Sequence, residues 1–193
     1  MNAPRAAPGR VRIIAGTLRG SRLQVPDSPG LRPTPDRLRE TLFNWLASCI
    51  AGARVLDAYA GSGALGIEAA SRGAAQLRLI ERDAALAAAL RANLARLRVN
   101  HAEVQAGDAL TLLAAAPDTR YDVVFLDPPF AADLWSASAT ALLPWLAPQA
   151  RVYVERPLAQ VELVLPAHWR LLRQTRVGAV LGALYDAGGA AAR

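Results

Sequence analysis

The sequence predicts an α/β fold with a seven-stranded, mostly parallel sheet and a β-hairpin in front of it. Over most of the chain, short apolar runs alternate with segments whose apolar residues recur every three to four positions. This alternation is typical of β-α-β units, which need a parallel sheet with helices on both faces. Ahead of these units, residues 12–14 and 23–25 flank Gly16 and Gly20, a pattern that favours a hairpin.

The predicted organisation has four parts within 193 residues, a length typical of one domain. Residues 1–11 form a leader with prolines and arginines, which we expect to be disordered. Residues 12–33 form an arginine-rich hairpin and extension, and residues 34–186 form the main α/β domain. Residues 187–193 are rich in glycine and alanine, and we expect a frayed C-terminus there.

The first helix of the main domain has clear start signals. Thr34 is the predicted N-cap, Pro35 takes the first helical position and Asp36 lies in the first turn. Apolar residues at helical spacing line one face, namely Leu38, Leu42, Trp45, Leu46 and Cys49. Gly52 is predicted to end the helix. Because Cys49 lies on the apolar face, we expect a buried and inert thiol.

The remaining elements follow in alternation. The strands share short apolar runs and are predicted at residues 55–56, 77–80, near 104, 121–126, 151–154, 161–165 and 177–185. The helices share an apolar stripe and are predicted at residues 64–72, 83–98, 109–115 and 134–146. The carboxyl ends of parallel strands meet at one edge of a sheet, and open α/β sheets bind ligands beyond that edge.

The composition excludes several protein classes. Hydrophobic residues make up 53% of the chain, which is enough for a core and argues against wholesale disorder. No apolar stretch approaches the roughly 20 residues needed to span a bilayer. The first ten residues lack the apolar centre of a secretory signal. A single cysteine excludes an internal disulfide framework, so a cytoplasmic location is predicted.

Positive charge is concentrated near the start of the chain. The net charge is +6, and all 22 basic residues are arginine, a bias that a GC-rich genome would explain. Residues 1–40 hold eight arginines against three acids, and arginine forks match phosphate oxygens. The candidate nucleic-acid contacts are Arg10, Arg12, Arg19, Arg22, Arg32, Arg37 and Arg39. The alternative is a solvated basic segment, in which Arg37 or Arg39 pairs with Glu40 or other acids.

The segment Asp127-Pro128-Pro129-Phe130 directly follows the apolar run of a predicted buried strand. Proline fixes φ and donates no N–H, so this corner is stiff and rich in acceptors. The Asp127 oxygens and the Pro128 carbonyl can accept two hydrogen bonds from one NH₂ group, and Phe130 can stack on a planar ring. The corner therefore predicts a site for an aromatic amine on a nucleobase.

A glycine loop joins the first parallel strand to its helix. Gly61, Gly63 and Gly66 satisfy G-x-G-x-x-G, and Glu81 lies twenty residues after Gly61, as in dinucleotide sites. Asp57, however, would face the pyrophosphate, and like charges about 4 Å apart cost about 4 kcal/mol at an effective dielectric of about 20. S-adenosylmethionine carries a sulfonium and an ammonium and no phosphate. Asp57 therefore favours that cofactor over NAD.

Two further acids extend this edge of the predicted sheet. Glu81 can accept from both ribose hydroxyls, and Asp108 can accept from the adenine amino group, although Asp108 is also a reasonable helix N-cap. The predicted cofactor-binding residues, including neighbours of the acids and glycines, are Asp57, Ala58, Gly61, Ser62, Gly63, Glu81, Arg82, Asp108 and Ala109.

Together these motifs carry a resemblance. Four motifs follow one another in an order that resembles that of class I methyltransferases acting on exocyclic amines. They are D-x-x-x-G-x-G, an acid at the second strand, Asp108 and D-P-P-F. Six further segments make the likeness more specific, namely RIIAG at 12–16, RG at 19–20, LRPT at 31–34, DR at 36–37, RETLFNWL at 39–46 and AGSGALG at 60–66. With them, residues 12 to about 185 resemble the bacterial ribosomal small-subunit methyltransferase D family.

The resemblance implies a Rossmann-like class I S-adenosylmethionine-dependent methyltransferase fold, with residues 34–186 as the methyltransferase domain. It implies methylation of the 2-amino group of guanine 966 in 16S rRNA, within an assembling small ribosomal subunit. We expect no membrane, because no apolar span is present, and no metal, because His101 and His168 lack ligand spacing. No large apolar patch is evident, so a monomer is expected.

The predicted catalytic residues are those of the D-P-P-F corner. Asp127 and the Pro128 carbonyl would hold both N–H bonds and turn the nitrogen lone pair toward the methyl group. Phe130 would stack on a base drawn out of its surroundings, and Pro129 would help to close the corner. Either Asp127 or water would take the proton.

Three other functions stay open at this point. One is an adenine-N6 methyltransferase on DNA or RNA, since D-P-P-F is shared with such enzymes. Another is an NAD(P)-linked oxidoreductase, which the glycine pattern alone would allow. A third is a non-catalytic RNA-binding module with the same fold.

Overall fold

The computed structural model describes residues 10–28, 34–159 and 163–188. The strands are β1 (Arg10–Arg12), β2 (Arg22–Gln24), β3 (Arg54–Asp57), β4 (Gln76–Glu81), β5 (Ala102–Ala106), β6 (Tyr121–Leu126), β7 (Leu146–Pro157), β8 (Arg170–Val177) and β9 (Val180–Asp186). The α-helices are α1 (Asp36–Trp45), α2 (Ala64–Ser71), α3 (Ala84–Arg96), α4 (Ala109–Leu113) and α5 (Trp135–Ala141). Residues 1–9 of the predicted leader and residues 189–193 of the C-terminus lie outside the described residues.

The predicted seven-stranded, mostly parallel sheet and the N-terminal hairpin are confirmed. Strands β1 and β2 pair antiparallel, and the large sheet has the order β5-β4-β3-β6-β7-β9-β8. Strands β3 to β7 run parallel, whereas β9 is antiparallel to both β7 and β8. The chain order reverses between β3 and β6, and a crevice for ligands opens at such a switch point. Asp57 ends β3 and Asp127 follows β6 at this crevice.

Apolar side chains cover both faces of the sheet. Helices α1, α2 and α3 pack on one face, and α4 and α5 pack on the other. The hairpin packs with the first group, because Val11, Ile13, Leu23 and Val25 are buried in the same core as those helices. The hairpin therefore lies on the same face of the large sheet as α1.

A buried carboxylate fastens the hairpin to α2. Glu68 accepts hydrogen bonds from the backbone N–H groups of Ile14 at 2.7 Å and Ala15 at 3.0 Å. Arg72 donates to the same carboxylate at 2.8 Å, and the Arg39 guanidinium lies 3.7 Å from it. Because Glu68 is fully buried, its negative charge requires compensation, which the two arginines provide, while the two backbone amides donate hydrogen bonds to its oxygens.

The first helix differs from prediction at both ends. Its N-cap is Pro35 and no side chain caps it, because the Thr34 hydroxyl bonds the carboxylate of Glu155 instead. The regular helix ends at Trp45, and turns continue the chain to Gly52. The predicted burial of Cys49 is wrong, since its thiol is exposed in these turns.

Two elements near the C-terminal end also differ from prediction. Of the strand predicted at 161–165, residues 161–162 lie outside the described part, and residues 163–165 have no regular structure. The strand that follows is β8, which a turn at Gly178 joins to β9. The predicted helix 134–146 stops at Ala141, because Pro144 cannot donate to a helical ladder and a 3₁₀ turn follows.

None of the described helices is both long and apolar enough to cross a membrane.

Candidate active site

Asp57 is buried beneath the glycine loop. The residue is 2% exposed, and its Oδ2 accepts from the Gly66 N–H at 3.0 Å, with a further bond from the Tyr59 N–H. Burial raises the pKa of Asp57 to about 7, although the two amide bonds oppose that shift and the nearby Glu81 charge adds to it. These hydrogen-bond partners are neutral amides, so the carboxylate is suited to a cationic ligand.

The loop above Asp57 needs glycine for its shape. Gly61 and Gly63 have φ of 51° and 78°, in the region that side chains disfavour. A Cβ on Gly63 would lie 2.5 Å from Leu90 Cδ2, and one on Gly66 would lie 2.5 Å from Leu79 Cδ2. Gly63 in the loop therefore packs closely against α3, and Gly66 in the first turn of α2 packs closely against β4, with Ser62 buried within the loop.

Glu81 connects the loop to the end of β4. Its Oε2 accepts from the Gly61 N–H at 2.8 Å, and its Oε1 accepts from the Asp83 N–H at 2.7 Å. Each carboxylate oxygen has a second lone pair for a ligand hydroxyl. The predicted ribose contact is compatible with this geometry and stays a prediction.

Asp108 adopts the capping role that was the alternative interpretation of this residue. Its Oδ1 accepts from the Thr111 N–H at 3.0 Å and from the Thr111 hydroxyl at 3.2 Å, at the start of α4. Asp108 is exposed at the same edge of the sheet as Glu81. Its contact with adenine stays a prediction. Of the neighbouring candidates, Ala58 and Ala109 are buried and Arg82 is exposed.

The D-P-P-F corner lies at the end of β6. Asp127 is half-buried, and burial together with the charges of Glu155 and Asp57 raises its pKa well above the ordinary value. Pro128 is buried, whereas Pro129 is exposed and precedes a 3₁₀ turn that begins at Phe130. The described residues contain no cis peptide bond.

Phe130 is supported from behind by α5. Its ring centroid lies 6.0 Å from that of Trp135, with 45° between the ring planes. Trp135 is fully buried, and its indole N–H donates to the Glu155 carbonyl oxygen at 2.7 Å. One buried indole thus contacts both the aromatic residue of the corner and the neighbouring strand β7.

Glu155 is a site residue that the sequence interpretation missed. It is 3% exposed, and burial raises its pKa to about 7, although hydrogen bonds from Tyr153 and Thr34 oppose the shift. The Tyr153 hydroxyl donates to its Oε2 at 3.1 Å. A signal exists in the sequence, because Glu155 directly follows the predicted strand 151–154, as Asp127 follows its own strand.

The candidate RNA contacts divide into three groups. Four arginines are exposed on the hairpin or on α1, namely Arg12, Arg19, Arg22 and Arg37. The prediction for Arg39 is wrong: the residue is buried, and its guanidinium donates to Asp36 at 2.6 Å and to the Arg12 carbonyl at 3.0 Å. The Arg10 side chain and Arg32 lie outside the described part of the structure.

The edge of the sheet combines complementary chemical features. Asp57 ends β3, Asp127 follows β6 and Glu155 lies two residues before the end of β7, and all three face the side on which α1 packs. The arrangement can hold a cation near Asp57 and a planar amine near Asp127. Among residues 10–28, 34–159 and 163–188, no group of three His, Cys, Asp or Glu side chains is placed to hold a metal ion.

Comparison with known proteins gives a consistent result. The family model described as conserved hypothetical protein 95 matches residues 11–186. Ribosomal RNA small subunit methyltransferase D of Escherichia coli K12 is 48% identical over 92% of this chain and 90% of its own length. The protein of the same name from Haemophilus influenzae is 44% identical over 93% of this chain and 95% of its own length.

Solved structures agree. The methyltransferase yhhF from Escherichia coli superposes with a TM-score of 0.86 at 45% sequence identity, covering 92% of this chain and 98% of that chain.

Proposed function

This chain belongs to the ribosomal RNA small subunit methyltransferase D family, and from that premise we propose that it methylates the 2-amino group of guanine 966 in 16S rRNA. The proposed methyl donor is S-adenosylmethionine, and the proposed substrate is rRNA within an assembling small ribosomal subunit. The observation that carries the proposal is the stiff acceptor corner at Asp127, next to a buried carboxylate at Asp57 that has only neutral hydrogen-bond partners.

The residues at the sheet edge fit this donor. Asp57, Glu81 and the loop of Gly61 and Gly63 would hold S-adenosylmethionine, which when bound supplies a methyl group on a positively charged sulfur. A phosphate-containing ligand would place negative charge beside Asp57, whereas a sulfonium or ammonium would relieve the desolvation that raises its pKa. The charge of the site therefore favours S-adenosylmethionine over a dinucleotide.

The corner residues would orient the nucleobase amine. An aromatic amine is a poor nucleophile, because its lone pair is delocalised into the ring. The Asp127 carboxylate and the Pro128 carbonyl would accept both N–H bonds and leave the lone pair pointing away from them. Positive charge grows on the nitrogen as it reacts, so these acceptors stabilise the transition state more than the ground state. Phe130, packed against Trp135, would stack on the base.

The hairpin would supply contacts to the RNA backbone. Arg12, Arg19 and Arg22 are exposed on it, and the guanidinium fork matches phosphate oxygens. Arg37 extends the same charge onto α1. Because the hairpin is fastened to α2 through Glu68, these arginines have a fixed relation to the active-site edge.

A methylation assay tests the proposal directly. The purified full chain is incubated with S-adenosylmethionine labelled in its methyl group and with assembled small subunits, free 16S rRNA or duplex DNA. Labelled N2-methylguanine at position 966 is expected, with small subunits as the best substrate. Asp127→Asn is the matched variant, and we expect it to lose turnover and keep binding of the donor. Label found in adenine alone would contradict the proposal.

A genetic version gives a second measurement. Nucleosides of 16S rRNA from a strain without this gene are mapped by mass spectrometry, and loss of one methyl group at guanine 966 is expected. Restoration by the wild-type gene and not by the Asp127→Asn variant would assign the modification to this site.

A further inference from the structure

Glu155 and Asp127 are neighbours across two parallel strands. In the register of β6 and β7, Leu126 pairs with Val154, so the residues that follow them lie side by side. Adjacent strands are about 4.8 Å apart, and side chains in the same register position project to the same face. Both carboxyl groups therefore face the side of the sheet on which Tyr153 lies.

The position of Glu155 is fixed from three directions. Trp135 donates to its carbonyl oxygen at 2.7 Å, and the Tyr153 hydroxyl donates to its carboxylate at 3.1 Å. The hydroxyl of Thr34, just before α1, donates to the same carboxylate. Trp135 also contacts Phe130 of the catalytic corner. A side chain held in place in this way is suited to controlling whether its neighbour Asp127 is ionised.

The surroundings of the pair are acidic. The charged groups that act on Asp127 are Glu155 on β7 and Asp57 on β3, and the groups that act on Glu155 include the hydroxyls of Tyr153 and Thr34. Two adjacent carboxylates, one buried and one half-buried, cannot both carry a full charge without an electrostatic cost, so such pairs share a proton. The Tyr153 and Thr34 hydroxyls donate to the Glu155 carboxylate and so favour its ionised form, which leaves the shared proton on Asp127 in the ligand-free protein. A cationic methyl donor bound nearby would then favour loss of that proton from Asp127.

We propose that Glu155 is a positioning residue whose negative charge keeps the shared proton on Asp127 until the cationic methyl donor binds, so that Asp127 meets the nucleobase amine as a carboxylate only in the donor complex. This inference rests on the proposed function and assigns a residue to the same site. After methyl transfer, an N–H bond of the cationic amine breaks, its electron pair returns to nitrogen and the proton forms an O–H bond on Asp127. That proton then leaves to water, while Glu155 stays ionised.

The test uses Glu155→Gln, which keeps the shape of the side chain and removes its titration. Without a second ionisable carboxyl group, Asp127 ionises more easily. The acid limb of the kcat–pH profile is therefore expected to shift downward by about one pH unit or more. Glu103→Gln, the same change on exposed β5, is the matched control and is expected to leave the profile unchanged.

A second readout does not depend on activity. Carboxyl carbon resonances of the ligand-free protein, labelled in aspartate and glutamate side chains, report the ionisation of Asp127. In the wild type we expect two coupled steps, and in Glu155→Gln a single step for Asp127 at lower pH. An Asp127 midpoint that stays unchanged in Glu155→Gln would overturn the inference, even if activity falls.

The two proposals fail in distinguishable ways. If the wild-type protein methylates no guanine, the proposed function is contradicted. The resonance titration still tests the role of Glu155 in that case. If the wild type methylates guanine 966 but the kcat–pH profile of Glu155→Gln is not shifted, only the role of Glu155 is contradicted. A melting temperature measured for every variant separates loss of folding from both outcomes.

Discussion

Gly16 packs directly against the backbone of Ser71, where a Cβ atom on Gly16 would lie 1.9 Å from the Ser71 carbonyl oxygen. The Thr17 N–H donates to that same oxygen at 2.8 Å, and the Leu18 N–H donates to the Ser71 hydroxyl at 2.9 Å. The turn of the hairpin is thus attached to the last residue of α2, the helix that begins at the glycine loop. Helix α2 therefore connects the hairpin, which is the candidate RNA-binding segment, with the glycine loop of the candidate cofactor site.

The close approach predicts that Gly16→Ala detaches the hairpin. Gly16 and Gly20 have nearly equal φ, 82° and 83°, but a Cβ on Gly20 would meet nothing within 4 Å. Both variants should lose about 1 kcal/mol through backbone strain, and Gly16→Ala should lose about 1–3 kcal/mol more through the clash. Thermal unfolding measures the difference, and faster hydrogen exchange at Ile14 and Ala15 would locate it. Equal effects of the two variants would contradict this packing.

The hairpin arginines predict a salt-dependent contribution to rRNA binding. Replacing Arg19 or Arg22 by alanine should weaken binding and reduce the slope of log K against log salt by about one for each phosphate that the replaced side chain neutralised. Arg120 is also exposed but lies outside the hairpin, in the segment that precedes β6, so Arg120→Ala is the control. Filter binding to 16S rRNA at several salt concentrations measures the slopes, and equal slopes for all three variants would remove the hairpin from the interface.

The fold and much of the site can be predicted because their signals are local. The glycines of the loop, the acid after each parallel strand and the stiff corner at Asp127 are all visible among neighbouring residues. Their common edge then follows from β-α-β topology alone, since parallel strands end at one edge. In the proposed function, the charge of Asp57 is the feature that favours a cationic ligand over a phosphate.

The predictions fail at positions whose surroundings depend on residues far away in the sequence. Arg39 looks like a surface arginine in a basic segment, yet Glu68, far along the chain, provides its counter-charge in the core. Strand β8 is an edge strand whose Arg170, Arg173 and Arg176 are exposed, so no buried apolar run marks it. Recognising Glu155 requires knowledge of which strand lies beside β6, because its partner Asp127 is distant in sequence.

The buried network around Glu68 predicts a large stability difference from a surface ion pair. Glu68→Ala would leave two hairpin amides and the buried Arg39 guanidinium without this acceptor, so about 3–5 kcal/mol of unfolding free energy should be lost. Asp122 pairs with Arg54 where both side chains are about 40% exposed, and Asp122→Ala should cost about 0–1 kcal/mol. Urea unfolding of both variants gives the comparison. A cost for Glu68→Ala as small as that for Asp122→Ala would show that the hairpin is not held by this carboxylate.

The raised pKa of Asp57 predicts that binding of the methyl donor releases protons. At pH 7 a group with a pKa of about 7 is about half protonated in the ligand-free protein, and a nearby sulfonium or ammonium would lower that pKa. Binding should therefore release up to about half a proton at pH 7, and affinity should rise as pH increases from about 5 to 8.

Isothermal titration calorimetry in buffers of different ionisation enthalpy measures this release. Asp57→Asn should remove the part of the release that comes from this carboxylate, since the amide cannot titrate. S-adenosylhomocysteine, which lacks the sulfonium charge, should release fewer protons than S-adenosylmethionine from the wild type. The opposite sign, proton uptake on binding, would mean that the ligand buries Asp57 further without compensating its charge, and the assignment of the cationic centre to this carboxylate would be wrong.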